Sequence, residues 1–198
     1  MKVILVGSTG TLGKKVLQQL ESAGHRVLTV NRSSGDAQLD MQSAEAVEAF
    51  FKKVGAFDAL IATSGTAKWG NIGALSGQDY MLGLQSKLMG QVNLVHIGRK
   101  YAAEKAVFVL TSGVLAQYPM EGSSSLTMIN SAIEGYARAV SLELDQQKIQ
   151  VVSPGWVKET MEMMGMDSSE GTAASEVATY YLKALTVEES GTVLQVVG

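Results

Sequence analysis

The sequence lacks the residue types that several classes of protein depend on. None of its 198 residues is cysteine, which excludes disulfides, thiol chemistry and thiolate metal sites. No apolar stretch reaches the ~18 residues expected of a membrane-spanning helix. Charged residues make up only 18% of the chain, and a net charge of −3 gives no reason to expect nucleic acid or an anionic membrane as partner.

The remaining composition is typical of one α/β domain. Hydrophobic residues make up 46% of the sequence, and a chain of this length can bury a full core. The low charge suggests that another subunit covers some apolar surface, so we expect a homo-oligomer. The first strand begins at Lys2, which leaves no room for a signal peptide, and we therefore expect a cytoplasmic protein.

A glycine-rich turn follows the first apolar run and gives the strongest functional signal. Residues 2–6 form a short apolar strand, and residues 14–20 have the spacing of an amphipathic helix. A glycine turn between strand and helix presents backbone N–H groups and the helix dipole to a phosphate. The alternative is a plain strand-to-helix turn. The predicted cofactor-binding residues here are Gly7, Ser8, Thr9, Gly10, Thr11, Leu12 and Gly13.

The end of the second strand indicates which dinucleotide would bind. NAD-binding proteins usually place an acidic residue about 20 residues beyond the glycines. This chain instead has Asn31, Arg32 and Ser33 there. A guanidinium beside hydroxyls suits a 2′-phosphate, so the sequence favours NADP(H). The alternative is that Arg32 is merely solvated at the strand end.

Strand and helix patterns alternate along the whole chain, without a linker or repeat. This alternation predicts one domain over 1–198, an α/β fold with a doubly wound parallel sheet of about seven strands and helices on both faces. Residues 161–171, rich in methionine and glycine, are predicted to form a flexible flap. The predicted strands are 2–6, 26–30, 38–40, 57–62, 106–110, 149–153 and 192–197. The main predicted helices are 14–20, 43–53, 80–103, 124–145 and 175–184, with a start near Ser76 for the helix before residue 80.

Six motifs in this order resemble those of the short-chain dehydrogenase/reductase superfamily, from end to end of the chain. Besides the glycine motif, the matching segments are Asp40-Met41, Thr63-Ser64-Gly65, Thr111-Ser112-Gly113, residues 133–143 and Pro154-Gly155-Trp156-Val157. The resemblance implies that Asp40 and Met41 contact adenine and that Thr63, Ser64 and Gly65 lie beside the cofactor. It also implies that Pro154, Gly155, Trp156 and Val157 hold the nicotinamide end, and that Ser112 is the catalytic serine.

The acid/base residues of that superfamily are missing. The expected Tyr-x-x-x-Lys falls on Leu126 to Asn130, and leucine has no proton to give. The family asparagine aligns with Lys87, so lysine and asparagine stand in exchanged positions. Either Lys87 and Asn130 have traded roles in one pocket, or the two changes are independent losses.

We predict Ser112, Lys87 and Asn130 as the catalytic set. Ser112 can bond a carbonyl oxygen, and Lys87, if desolvated, can titrate nearer neutrality and donate a proton. Tyr118 and the serines at 123–125 are weaker candidates, better explained as a surface tyrosine and a helix cap. No metal is expected.

Three functions remain open from the sequence. The first is an NADP(H)-dependent oxidoreductase acting on a small carbonyl or alkene substrate with an altered acid/base set. The second is a non-catalytic NADP(H)-binding sensor or regulatory protein, and the third is a dehydratase or epimerase of the same fold. Trp156 and the methionines beyond it suggest an apolar substrate wall. By resemblance, residues 80–103 and 124–145 form the helices that pair in a homodimer or tetramer.

Overall fold

A parallel sheet of seven strands, in the order β3-β2-β1-β4-β5-β6-β7, forms the centre of the molecule in the computed structural model, which describes residues 1–196. The order reverses between β1 and β4, and ligands of such sheets bind outside the carboxyl ends of the strands at this point. The strands are β1 (Lys2–Val6), β2 (Arg26–Asn31), β3 (Ala37–Gln38), β4 (Ala59–Ala62), β5 (Val107–Thr111), β6 (Lys148–Pro154) and β7 (Val193–Val196).

Helices cover both faces of the sheet, as predicted. Two of them, α1 and α7, pack on one face through residues such as Leu20 and Tyr181, while α2, α4 and α5 pack on the other through residues such as Phe51 and Ile133. The helices are α1 (Thr11–Ser22), α2 (Ala44–Val54), α3 (Gly77–Gly83), α4 (Gly90–Gly98), α5 (Ser124–Val140), α6 (Lys158–Met163) and α7 (Ala174–Ala184). None of the helices among residues 1–196 is long and apolar enough to cross a membrane.

The helix predicted over 80–103 differs most from the structure. The start predicted near Ser76 agrees with the structure, where Ser76 and Asp79 form a capping box and α3 begins at Gly77. The helical stretch ends at Gly98 and not at residue 103. Between α3 and α4 the chain widens into a π-helical segment, Leu84–Met89, which contains Lys87. Such segments are frequent at functional sites because they redirect side chains.

Other boundaries differ as well. Helix α5 ends at Val140 and not near residue 145; turns follow it, and Leu142 among them is 87% exposed. The predicted flap over 161–171 begins within α6, where the buried Met161 packs close to Gly171. The last predicted strand includes Val197, which lies outside the described residues.

Candidate functional site

The glycine turn brings α1 directly onto the end of β1. Gly7 has a φ of +100°, a conformation that favours glycine. A Cβ on Gly13 would lie 1.9 Å from the carbonyl oxygen of Gly7, so only glycine permits this contact. Gly10 is the N-cap of α1 and offers no side chain to the amides of the first turn. These amides are therefore available to an anion, and the cradle fits a pyrophosphate.

Asn31 braces this turn from the neighbouring strand. It is buried, its Nδ2 donates to Ser8 Oγ at 2.9 Å, and its Oδ1 accepts from the backbone N–H of Thr9 at 3.3 Å. The side chain of Asn31, predicted to bind the cofactor, is thus engaged with the glycine turn.

Arg32, by contrast, points outward. Its side chain is 76% exposed, and its guanidinium lies 3.8 Å from the carboxylate of Asp40. Ser33 beside it is also exposed. An exposed pair of this kind holds the arginine only weakly, so a phosphate could replace the carboxylate.

A cavity of about 210 Å³ opens beside the glycine turn, at the carboxyl ends of β1, β2 and β4. Its position is the switch point of the sheet, where the resemblance places adenine and its ribose. Six predicted cofactor residues line it: Asn31, Arg32, Asp40, Met41, Ser64 and Gly65. Thr63 lies next to them and donates from Oγ1 to the carbonyl of Gly7 at 3.1 Å.

The predicted nicotinamide-end motif lies across the same edge of the sheet, after β6. The backbone N–H of Gly155 donates to the carbonyl of Val196 at 2.8 Å, and the carbonyl of Trp156 accepts from the N–H of Thr172 at 2.8 Å. Val157 pairs with Thr172 in a parallel bridge. Pro154 and Val157 are buried, so this motif is a rigid wall of the site.

Lys87 and Asn130 are in direct contact. The Nζ of Lys87 donates to Asn130 Oδ1 at 2.7 Å and to the backbone carbonyl of Ser112 at 2.9 Å. Gly65 permits this position, because a Cβ there would come within 2.8 Å of the Lys87 backbone and side chain. Desolvation by burial lowers the pKa of Lys87 from 10.5 to about 8.

The Ser112 hydroxyl does not face this pair. Ser112 is buried, and its Oγ donates to Glu134 Oε1 at 2.9 Å. The following residue, Gly113, faces the pair instead, since a Cβ there would lie 2.8 Å from Asn130 Nδ2. Ser112 contributes its backbone to the pair, and the predicted catalytic role of its side chain stays a prediction. Its carbonyl holds Lys87, while its hydroxyl is committed to the core.

Sequence reasoning missed Glu134. This carboxylate is 3% exposed and also accepts a hydrogen bond from Gln117 Nε2. Buried carboxylates are rare unless they are paired. The partners here are Ser112 and Gln117, which follow β5, and Arg138 one turn along α5 at 3.9 Å. The available signal was the spacing of four residues between Asn130 and Glu134, which puts both on one helical face with Ile133 and Ala137.

A model of the family described as "Enoyl-(Acyl carrier protein) reductase" matches residues 1–196. The chain belongs to this family, within the short-chain dehydrogenase/reductase superfamily of nicotinamide-dependent oxidoreductases. No curated protein sequence matches it.

Solved structures agree with this assignment. The protein lin1944 from Listeria innocua is 29% identical, covers 99% of each chain and superposes with a TM-score of 0.93. A small-chain dehydrogenase in complex with NADPH is 27% identical over 99% of this chain and 96% of its own, with a TM-score of 0.88. An aldohexose dehydrogenase from Thermoplasma acidophilum, 16% identical over 98% of this chain and 91% of its own, has the same fold with a TM-score of 0.86.

The Lys87–Asn130 contact predicts that the two positions are energetically coupled. Asn130→Lys puts two ammonium groups together, and Lys87→Asn removes the donor to the Ser112 carbonyl. We expect each change to cost on the order of 2 kcal/mol of unfolding free energy. The double variant that carries both changes should lose at least about 1 kcal/mol less unfolding free energy than the two single variants lose together.

Urea unfolding at pH 7 measures these differences. Lys53→Asn, on the exposed face of α2, is the control and should change stability by less than about 0.5 kcal/mol. Strict additivity of the two single changes would show that the lysine and the asparagine arose independently.

Proposed function

We propose that this chain is an NADP(H)-dependent oxidoreductase for a small carbonyl or activated alkene, with Lys87 as its proton donor. The observation that carries the proposal is the desolvated ammonium of Lys87, bonded to Asn130 and to the Ser112 carbonyl at the carboxyl edge of the sheet. The superfamily's tyrosine is replaced by Leu126, so another acid is needed there.

The residues present fit the cofactor. The free first-turn amides of α1 suit the pyrophosphate, and Arg32 lies at the edge of the cavity beside Asp40. A related small-chain dehydrogenase binds NADPH, which supports the same choice here. When bound, the cofactor supplies hydride; the protein must orient the substrate and deliver a proton.

Lys87 can deliver that proton. An ammonium has three donors, and Asn130 Oδ1 and the Ser112 carbonyl take two of them. One N–H therefore remains for a substrate oxygen. With a pKa of about 8, Lys87 is mostly protonated at pH 7 yet gives up its proton far more readily than an ordinary lysine.

A non-catalytic NADP(H) binder is the second candidate. The engagement of the Ser112 hydroxyl by Glu134 favours it, because that hydroxyl is then unavailable to a substrate. Tight NADPH binding with no turnover on any carbonyl or alkene would support this candidate over the first.

The first test concerns the cofactor. Arg32→Gln should weaken NADPH binding by about 10- to 100-fold, because it removes a charge-assisted contact with the 2′-phosphate. NADH binding should hardly change. Arg26→Gln, at the exposed opposite end of β2, is the matched control. Titration of cofactor fluorescence measures the affinity of each protein for both cofactors, and equal binding of NADPH and NADH by the unmodified protein would contradict the proposal.

The second test concerns the proton donor. If the protonated ammonium is the acid, the rate of NADPH oxidation should fall as the pH rises through about 8, where Lys87 loses its proton. Lys87→Met should reduce turnover at least about 100-fold and abolish this pH dependence, while NADPH still binds. Absorbance at the reduced nicotinamide band follows the reaction. An unchanged rate in Lys87→Met excludes the lysine as donor.

We also propose that the chain forms a homodimer or tetramer through the helical stretch at 77–98 and helix α5. Leu94 and Val95 on the first of these helices lie in the core of the protomer and are not available to the contact. The exposed residues of these helices that can form it include Met81, Leu82, Met89 and Met128, and the space beside Gly135 is open.

Light scattering at micromolar concentration tests this assembly. The unmodified chain should have the mass of two or four copies, and Gly135→Arg should reduce that mass because its side chain would fill the close approach between helices. Leu142→Arg, on a residue 87% exposed elsewhere, is the control. A monomeric unmodified chain would contradict the proposal.

A further inference from the structure

The two tryptophans of the chain are in contact, although 87 positions separate them in sequence (156 − 69). The ring centroids of Trp69 and Trp156 are 6.0 Å apart, with the ring planes tilted by 52°. Trp69 is on the loop after β4, and Trp156 follows the end of β6. Since β4 and β6 are the two neighbours of β5, the indoles approach from both sides of the strand whose end bears Ser112 and Gly113.

Hydrogen bonds hold the backbone around each tryptophan. Trp156 lies between Gly155, bonded to Val196, and the Thr172 contact described above. The loop of Trp69 is anchored by a 3.0 Å hydrogen bond from Gly70 N–H to the carbonyl of Gly122. Gly122 has a φ of +81°, and a Cβ there would lie 2.7 Å from Trp69 Nε1, so glycine at this position makes room for the indole.

The two tryptophans are also accessible to a ligand. Trp69 is 38% exposed and Trp156 is partly exposed, so both residues keep surface that a ligand can reach. Large indole faces favour flat conjugated rings over saturated ones, because offset and edge-to-face contacts add to simple burial.

We infer that Trp69 and Trp156 form an aromatic subsite that selects carbonyl substrates conjugated to a flat aromatic ring. This inference rests on the proposed function and names its substrate class. The carbonyl oxygen of such a substrate would face the remaining N–H of Lys87, and its ring would contact the indoles. Reduction adds hydride from NADPH to the carbonyl carbon and a proton from Lys87 to the oxygen, which yields the alcohol and NADP⁺.

Two ketones of matched size test the subsite. Acetophenone and cyclohexyl methyl ketone differ in the aromaticity of the ring and share the methyl ketone. Calorimetric titration into the protein saturated with NADP⁺, which has no hydride to give a ketone, should show about three- to tenfold tighter binding of acetophenone. Trp69→Leu and Trp156→Leu should each reduce this preference, and Trp→Phe at either position should retain most of it.

Tyr180→Leu, which removes an aromatic ring on α7, is the control and should leave the preference unchanged. Thermal denaturation identifies any variant that fails to fold. If a Leu variant fails, the corresponding Phe variant is used to test the inference. Equal affinities for the two ketones in the unmodified protein, or equal losses for both in the Leu variants, would overturn the inference.

The test separates this inference from the proposed function. If NADPH does not bind, the proposed cofactor use is wrong, and the two ketones are then titrated into the protein alone. A retained preference for acetophenone that the Leu variants lose still supports the subsite. If NADPH binds and the protein has the same affinity for both ketones, the inferred subsite is wrong while the cofactor assignment stands.

Discussion

The ammonium of Lys87 joins three parts of the structure at one point. It lies on the π-helical segment, donates to the carbonyl at the end of β5 and donates to Asn130 on α5. The ammonium is desolvated, so removing either acceptor would leave a second N–H of Lys87 without a protein acceptor. The arrangement also constrains its surroundings, since only glycine at position 65 lets the loop after β4 pass so close to the lysine.

Much of the fold could be predicted from sequence because parallel strands buried on both faces are continuous apolar runs. Strands β1 and β5 are of this kind, and Ser43 and Ser76 mark helix starts through local hydrogen bonds. The end of α5 and the presence of α6 depend on tertiary packing. Leu142 has an apolar side chain that nothing covers, whereas Met161 is covered only because the chain returns at Gly171.

The candidate site also has features that the sequence predicts and features that depend on tertiary packing. Glycine spacing predicts the phosphate cradle because the constraint is local to the backbone. The roles of Asn31 and Ser112 depend on which way a side chain points at the end of a strand, and residue type does not determine that direction. Asn31 serves the glycine turn, and Ser112 contacts Glu134, a carboxylate whose burial follows from packing. The proximity of Lys87 and Asn130 was expected only through the superfamily resemblance.

The most direct test of the account is the titration of Lys87 itself. Carbon-13 chemical shifts at lysine Cε follow each ammonium as it loses its proton. One lysine should titrate with a pKa of about 8, because burial disfavours its charge, and that resonance should be missing from Lys87→Met. A spectrum in which no lysine titrates near pH 8 would contradict the account, since Lys87 would then have no desolvated ammonium to offer a substrate.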